Sequence, residues 1–152
     1  MKKYYRVVLG QQNSVAEECY QDKWFGGDWG FKDTLENDLL EDKQDFNRLK
    51  RSVCLENLTT DTYIPSPIAI GRVCSMLWVI CKGIKIGDVV LCPDGQGSYW
   101  VGKVTSNYLF ESGQREYPHR RNVEWYSSNI VRSEMSEGLQ NSCGSMGTVI
   151  EI

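Results

Sequence analysis

One histidine, His119, is all the imidazole that 152 residues contain. A hydrolytic nucleophile needs an activating base, and that base needs a carboxylate to orient it. His119 instead precedes Arg120 and Arg121, a setting that favours neutral imidazole and supplies no orienting acid, so triad chemistry finds no support. The six cysteines (Cys19, Cys54, Cys74, Cys81, Cys92 and Cys143) form no Cys-x-x-Cys pair. Zinc-ligand spacing is therefore missing, and the cysteines read as reduced, partly buried thiols with no metal or other cofactor expected. No apolar run approaches the ~20 residues of a membrane span. The start, Met1-Lys2-Lys3-Tyr4-Tyr5-Arg6, moves into alternating sequence where a signal peptide would have its apolar core, so a soluble, cytoplasmic chain without a membrane partner is expected. Phosphate-loop and dinucleotide fingerprints are absent, since Gly95-Gln96-Gly97 is too short and belongs to a turn. Strand-borne acids are sparse, with Asp88 opening one strand and Glu124 standing alone, which disfavours a metal-dependent nuclease. Repeats, low-complexity tracts and linkers are lacking too.

What is present is the makings of one compact domain over residues 1–152: 41% apolar and 11% aromatic residues suffice for a core. The net charge of −3 hides a division. From Gln11 to Asp61 there are twelve acids against six bases, whereas Thr62 to Ile152 carries eight of each. The acidic half is a poor phosphate-binding face. In the second half Arg115, Arg120, Arg121 and Arg132 fall close together, so an anion-binding surface would be local, with a short list of phosphate contacts.

Lys3 to Leu9 alternates as a strand ended by Gly10, after which Asn13 or Ser14 caps a helix to about Asp22, with Val15, Cys19 and Tyr20 on its buried side. Trp24-Phe25 reads as a short strand opening into the glycine-flanked Gly26-Gly27-Asp28-Trp29-Gly30. A helix is predicted over Lys43 to Leu55 on Phe46, Leu49 and Val53. Ser66-Pro67 supplies an N-cap and a first-turn proline for a core helix with Ile70, Val73, Cys74, Leu77, Ile80 and Cys81 inward. Asp88 to Cys92 and Tyr99 to Tyr108 form a hairpin at the core's edge, followed by a polar connection from Phe110 to Pro118. Asn122 to Tyr126 is a strand, Ser133 to Leu139 a short helix, and Thr148 to Ile152 a last strand. The order predicts an α+β fold with a curved, barrel-like sheet flanked by helices.

Six motifs, the first in two pieces, carry a resemblance. Tyr4-Tyr5-Arg6-Val7 with Ala16-Glu17-Glu18-Cys19, Gly27-Asp28-Trp29-Gly30, Ile84-Lys85-Ile86-Gly87-Asp88, Tyr99-Trp100-Val101-Gly102-Lys103-Val104, Pro118-His119-Arg120-Arg121-Asn122-Val123-Glu124-Trp125 and Asn141-Ser142-Cys143-Gly144-Ser145 occur in an order that resembles EVE-like domains of the PUA superfamily. The chain is similar to the N-terminal specificity domains of modification-dependent restriction endonucleases of the McrBC and Mrr-like kinds. Residues 33–63 match nothing in that pattern. The resemblance implies a PUA-like pseudo-barrel and a partner that is double-stranded DNA carrying a modified base. The chain ends on a strand with no catalytic region after it, so any nuclease or NTPase activity is expected in other sequence or another subunit. YTH domains of the same superfamily flip a methylated base into an aromatic cage, a step that repays unstacking with new stacking. By that likeness Trp29 with Asp28 marks one wall of the pocket, and Tyr108, Phe110 or Tyr117 the other. Lys103, Arg115, His119, Arg120, Arg121, Asn141 and Ser142 become contacts to the nucleic-acid backbone.

Each residue has a plainer reading. A lone tryptophan usually packs, and Trp78, Trp100 and Trp125 read as structural from their helix and strand positions. If the strand already includes them, Arg120 and Arg121 point to opposite faces, so that one meets a phosphate while the other makes an ion pair, for instance with Glu116 or Glu124, although a solvated surface arginine is the commoner outcome. His119 after Pro118 hydrogen-bonds a loop carbonyl, and Asn141-Ser142 caps a turn. Two further readings stay open: a YTH-like reader of methylated RNA, and, from another class, a complete small enzyme or a protein-interaction domain using the acidic surface from Asp33 to Asp45.

Overall fold

Strand β1 (Tyr4–Val7) buries Tyr5, Arg6 and Val7 and organises a mixed sheet. It pairs in parallel with β3 (Val89–Pro93), Tyr5 opposite Val90, and antiparallel with β8 (Val149–Glu151), Arg6 opposite Ile150. β3 returns antiparallel through β4 (Ser98–Val104). The turn between them is closed by the Asp94 carboxylate, which accepts from the backbone N–H groups of Gln96 (2.7 Å) and Ser98 (3.2 Å) while Gly95 and Gly97 adopt positive φ. With β2 (Trp24–Gly27) and β6 (His119–Trp125) the order is β2-β6-β4-β3-β1-β8, and β7 (Ile130–Val131) pairs with the start of β4. The expected hairpin is therefore real but lies mid-sheet, where β3 pairs with β1 and β4, and β4 with β3, β6 and β7. The computed structural model describes residues 1–113 and 116–152.

The described chain falls into two compact units. The first contains Met1–Phe25, Ile84–Asn107 and Arg121–Ile152, and the second Gly26–Gly83 and Tyr108–Arg120. The fold is α+β with a curled mixed sheet, as expected. No helix among the described residues is long and apolar enough to cross a membrane.

In the first unit, helices α1 (Ala16–Asp22) and α4 (Glu137–Cys143) accompany the sheet. One core cluster joins Val89, Leu91, Tyr99, Met135 and Cys143. Another group stacks Tyr20 on Trp100 at 4.4 Å, with Trp125 5.9 and 6.2 Å from them. An inserted base needs two ~3.5 Å contacts, about 7 Å between ring planes, so this cluster is closed packing and both tryptophans are structural as expected. Gly102 permits it: a Cβ there would meet Val123 Cγ2 at 2.5 Å and Trp125 Cε3 at 2.8 Å. Asp88 is spent on the backbone, accepting from Lys3 N–H (3.0 Å) and Lys85 N–H (2.8 Å). α1 lacks the expected Asn13 or Ser14 cap. Its N-cap is Val15 without a side-chain bond, because Gln11–Asn13 forms a 3-10 turn with Gln12 and Asn13 left-handed.

The second unit is built on α2 (Lys43–Leu58) and α3 (Pro67–Trp78), the latter continuing into a π turn over Val79–Gly83. Asp42 caps α2, and Ser66 Oγ caps α3 by accepting from Ala69 N–H at 3.2 Å. The buried side of α2 differs from expectation. Phe46, Asn47 and Cys54 are inside, while Leu49 and Val53 are 48% and 38% exposed. The facing groups explain it: Asn47 Nδ2 donates to Ser75 Oγ on α3 (2.9 Å), and Lys50 pairs with Asp38. All six cysteines are free and buried. Burial pushes Cys74, hydrogen-bonded to Cys54, up to about 12, which makes for unreactive thiols.

Replacing Gly102 by alanine forces a methyl into backbone and indole. It is expected to cost about 1–3 kcal/mol, read as a lower urea midpoint with unchanged slope. A midpoint equal to that of the parent contradicts the packing.

Candidate functional site

All four residues of Gly27-Asp28-Trp29-Gly30 have an identifiable task inside the second unit. Gly27 gives the Trp29 indole room to lie on the backbone: a Cβ would meet indole Cζ3 at 2.9 Å and Ile80 Cδ1 at 3.2 Å. Asp28 Oδ1 accepts from Gly30 N–H (2.9 Å), an Asx turn that folds the loop over Trp29. Trp29 adopts φ 49° and Gly30 φ 78°. Left-handed φ costs glycine little, and costs a bulky aromatic enough that neighbours must enforce it. The Trp29 carbonyl accepts from Asn57 Nδ2 on α2 (3.4 Å), whose Cβ also sits 3.0 Å from where a Gly30 side chain would begin.

The second oxygen of the same carboxylate reaches the other loop. Asp28 Oδ2 accepts from Tyr117 N–H at 3.0 Å, and Tyr117 is also left-handed, φ 53°. The Tyr117 carbonyl accepts from Arg120 Nε (2.8 Å), and Glu111 N–H to Pro118 O (2.9 Å) closes the base of the loop. One carboxylate thus holds together two aromatic residues 88 positions apart, both in a backbone region that aromatics rarely visit. Trp29 and Tyr117 are half-buried, and among the described residues neither ring stacks on another or hydrogen-bonds through its polar atom.

Tyr108 and Phe110 are occupied differently. His119 is fully buried, with the Tyr108 ring 5.9 Å away and nearly parallel and the Phe110 ring 5.6 Å away and tilted. Strand β5 (Leu109–Phe110) pairs Phe110 with His119 directly. His119 Nε2–H donates to the Phe31 carbonyl (2.7 Å), which leaves Nδ1 to accept from the Tyr108 hydroxyl (2.8 Å), which itself accepts from Leu35 N–H (3.0 Å). The tautomer follows from the network, because a carbonyl can only accept. Burial lowers the His119 pKa, against the smaller opposing pull of the Phe31 bond and Asp28, and burial also raises that of Tyr108. Both groups are therefore neutral, and together they pin the loop from Phe31 to Leu35.

The expected backbone contacts divide. His119 is corrected: enclosed, it bonds a loop carbonyl, the plainer of its two readings. Arg121 is corrected too. At 1% exposure its guanidinium donates to Ser106 O (Nε, 2.8 Å) and Ile84 O (Nη1, 2.6 Å), so it ties loops of the first unit and meets no phosphate. The strand begins at His119, earlier than expected, and this fixes the alternation: Arg121 inward, Arg120 half-exposed. Lys103 is exposed on β4 opposite Glu124, and Asn141 and Ser142 lie in the last turn of α4, where the Asn141 carbonyl accepts from Ser145 Oγ (3.1 Å). These three belong to the first unit, and Arg115 lies outside the described residues. Sequence reasoning missed Asn57. Its place on α2 carries no motif, and only the loop's approach to the helix reveals it.

The chain matches, over residues 5–152, the family described as a domain of unknown function (DUF8426), and belongs to it. No curated protein and no solved structure matches the chain.

With one histidine in the chain, its imidazole signals are readable directly by NMR. The hydrogen bonds predict the Nε2–H tautomer, and burial predicts that it titrates below the ordinary ~6.5. The unfolded chain then binds that proton more readily than the folded one, so this group's contribution to stability is intact above pH 6.5 and declines as pH falls from there toward the folded pKa. Titration at or above 6.5 contradicts the buried relay. Arg121→Ala is expected to lower stability by at least ~2 kcal/mol, because one buried and one part-buried carbonyl lose their donor and a cavity opens. An unchanged urea midpoint contradicts that role.

Proposed function

We propose that this DUF8426 domain binds DNA carrying a modified base, methylated in the simplest case, and takes that base out of the helix to stack at Trp29 and Tyr117. Of the three candidates for the wall opposite Trp29, Tyr117 suits the role best, since Tyr108 and Phe110 are committed to His119. The single observation that carries the reading is the Asp28 carboxylate bonded to both Gly30 N–H and Tyr117 N–H, holding two left-handed, half-buried aromatics. Strained backbone of this kind persists where it serves a site.

The energetics agree. Flipping costs a few kcal/mol, and each stacked base returns about 1–3 kcal/mol per aromatic partner, so two walls offset the cost where one leaves a deficit. Arg120, half-exposed and bonded to the Tyr117 carbonyl, supplies positive charge beside the pocket. The acidic balance of the whole chain keeps nonspecific affinity low. The order of motifs resembling EVE-like specificity domains supports a place in a modification-dependent restriction system. In that reading the domain binds, and a nuclease or NTPase elsewhere acts.

The test is a titration of matched modified and unmodified duplexes. Trp29→Ala and Tyr117→Ala are each expected to reduce discrimination by about tenfold or more, from ~1–3 kcal/mol of lost stacking. Arg120→Ala should weaken both duplexes alike and reduce the salt slope by about one. A Trp29→Ala protein that still separates the two duplexes overturns the reading, and preference for matched RNA over DNA moves it to RNA.

A further inference from the structure

Beside the Asp28 clamp, on the α2 side of the same loop, the second unit contains a cleft of about 390 Å³, a volume within the range of small-molecule sites. Gly30 lines it, one peptide step of ~3.8 Å from Trp29. So does Asn57, the residue whose amide holds the Trp29 carbonyl. The cleft and the Trp29 turn therefore share a wall. Its loop side is pinned from behind, because Phe31 and Leu35 are the residues held by the His119–Tyr108 relay. Its helix side carries Lys50 and Val53.

The lining selects a class of ligand. Lys32 and Lys50 are matched by Asp33 and Asp38, so the cleft has no net formal charge and does not concentrate phosphate. Lys50 and Asp38 form an ion pair of 2.5 Å with side chains only 17% and 31% exposed. That pair sets a fixed donor next to a fixed acceptor, and Asn57 adds an amide. A neutral ligand whose edge alternates donors and acceptors fits this arrangement, and a nucleobase is such a ligand.

We propose that the cleft is a second base subsite, which reads by its edge the nucleotide adjoining the one held at Trp29 and so gives the domain its sequence context. This rests on the base-reading proposal for Trp29 and Tyr117. Val53, 38% exposed, does not take part in the clamp, so Val53→Trp fills the cleft and leaves Asp28, Trp29 and Tyr117 in place. Asp38→Asn removes the fixed carboxylate without changing volume.

The experiment has two arms. In the first, duplexes carrying N6-methyladenine, 5-methylcytosine or 5-hydroxymethylcytosine are titrated with all four bases in turn at each neighbouring position. The parent should prefer one neighbour by about tenfold, the lower end of ~1–3 kcal/mol for a good edge contact. Val53→Trp and Asp38→Asn should flatten that preference to within about twofold and keep the ratio of modified to unmodified binding. A parent indifferent to its neighbours, or variants that retain the preference, overturn the subsite. In the second arm, adenosine, guanosine, cytidine and thymidine are added singly to the ¹⁵N-labelled protein. Shifts at the Gly30 amide and Asn57 side-chain amide that vanish in Val53→Trp support the cleft as a base site, even if no modified duplex is distinguished and the Trp29 reading fails. Absence of those shifts in the parent overturns it, even if modified DNA is bound.

Discussion

The arrangement depends on a carboxylate with a hydrogen bond at each oxygen. Asp28 ties the N–H of Gly30 and the N–H of Tyr117 to one side chain, and hydrogen bonds to a charged acceptor are the stronger kind. Without the first bond the loop loses the Asx turn that sets Trp29 left-handed. Without the second, a segment far away in sequence is no longer held beside it. Asn57 and Gly27 finish the work by fixing the Trp29 carbonyl and giving the indole a flat seat. In the proposed function the aromatics are thus set before a base arrives, and the ordering cost is met during folding.

A second layer stands behind the first. The buried imidazole and phenol run hydrogen bonds from Leu35 N–H through Tyr108 and His119 to the Phe31 carbonyl. Every polar atom in that chain has a partner, so it rigidifies at little cost. Its effect is to hold the loop that begins at Trp29 and lines the neighbouring cleft. The only histidine of the chain is thereby a positioning residue, kept neutral by burial.

Much of the fold was legible in the sequence. The Ser66-Pro67 start of α3, the β3–β4 hairpin around Asp94-Gly95 and the α+β class rest on local rules of capping, turn geometry and alternation. The misplacements came from tertiary terms. Leu49 and Val53 look like a helical core stripe, yet the inward side follows Phe46, Asn47 and Cys54, because Ser75 and Asp38 offer polar partners that the stripe does not foresee. Arg121 looks like a surface cation until two loop carbonyls enclose it. At the candidate site, the glycine bracket around Asp28 and Trp29 was readable, and the bond from Asp28 to Tyr117 was not, because nothing in either segment names the other.

The central claim is that the base is received at Trp29 and nowhere else among the five tryptophans. Fluorine NMR of protein carrying 5-fluorotryptophan reports all five in one spectrum, and single replacements assign them. On adding the modified duplex, the account predicts a large shift of the Trp29 resonance that the unmodified duplex does not produce, with Trp24, Trp78, Trp100 and Trp125 nearly still. A Trp29 resonance that stays in place while the modified duplex binds, or one that moves equally with both duplexes, contradicts it.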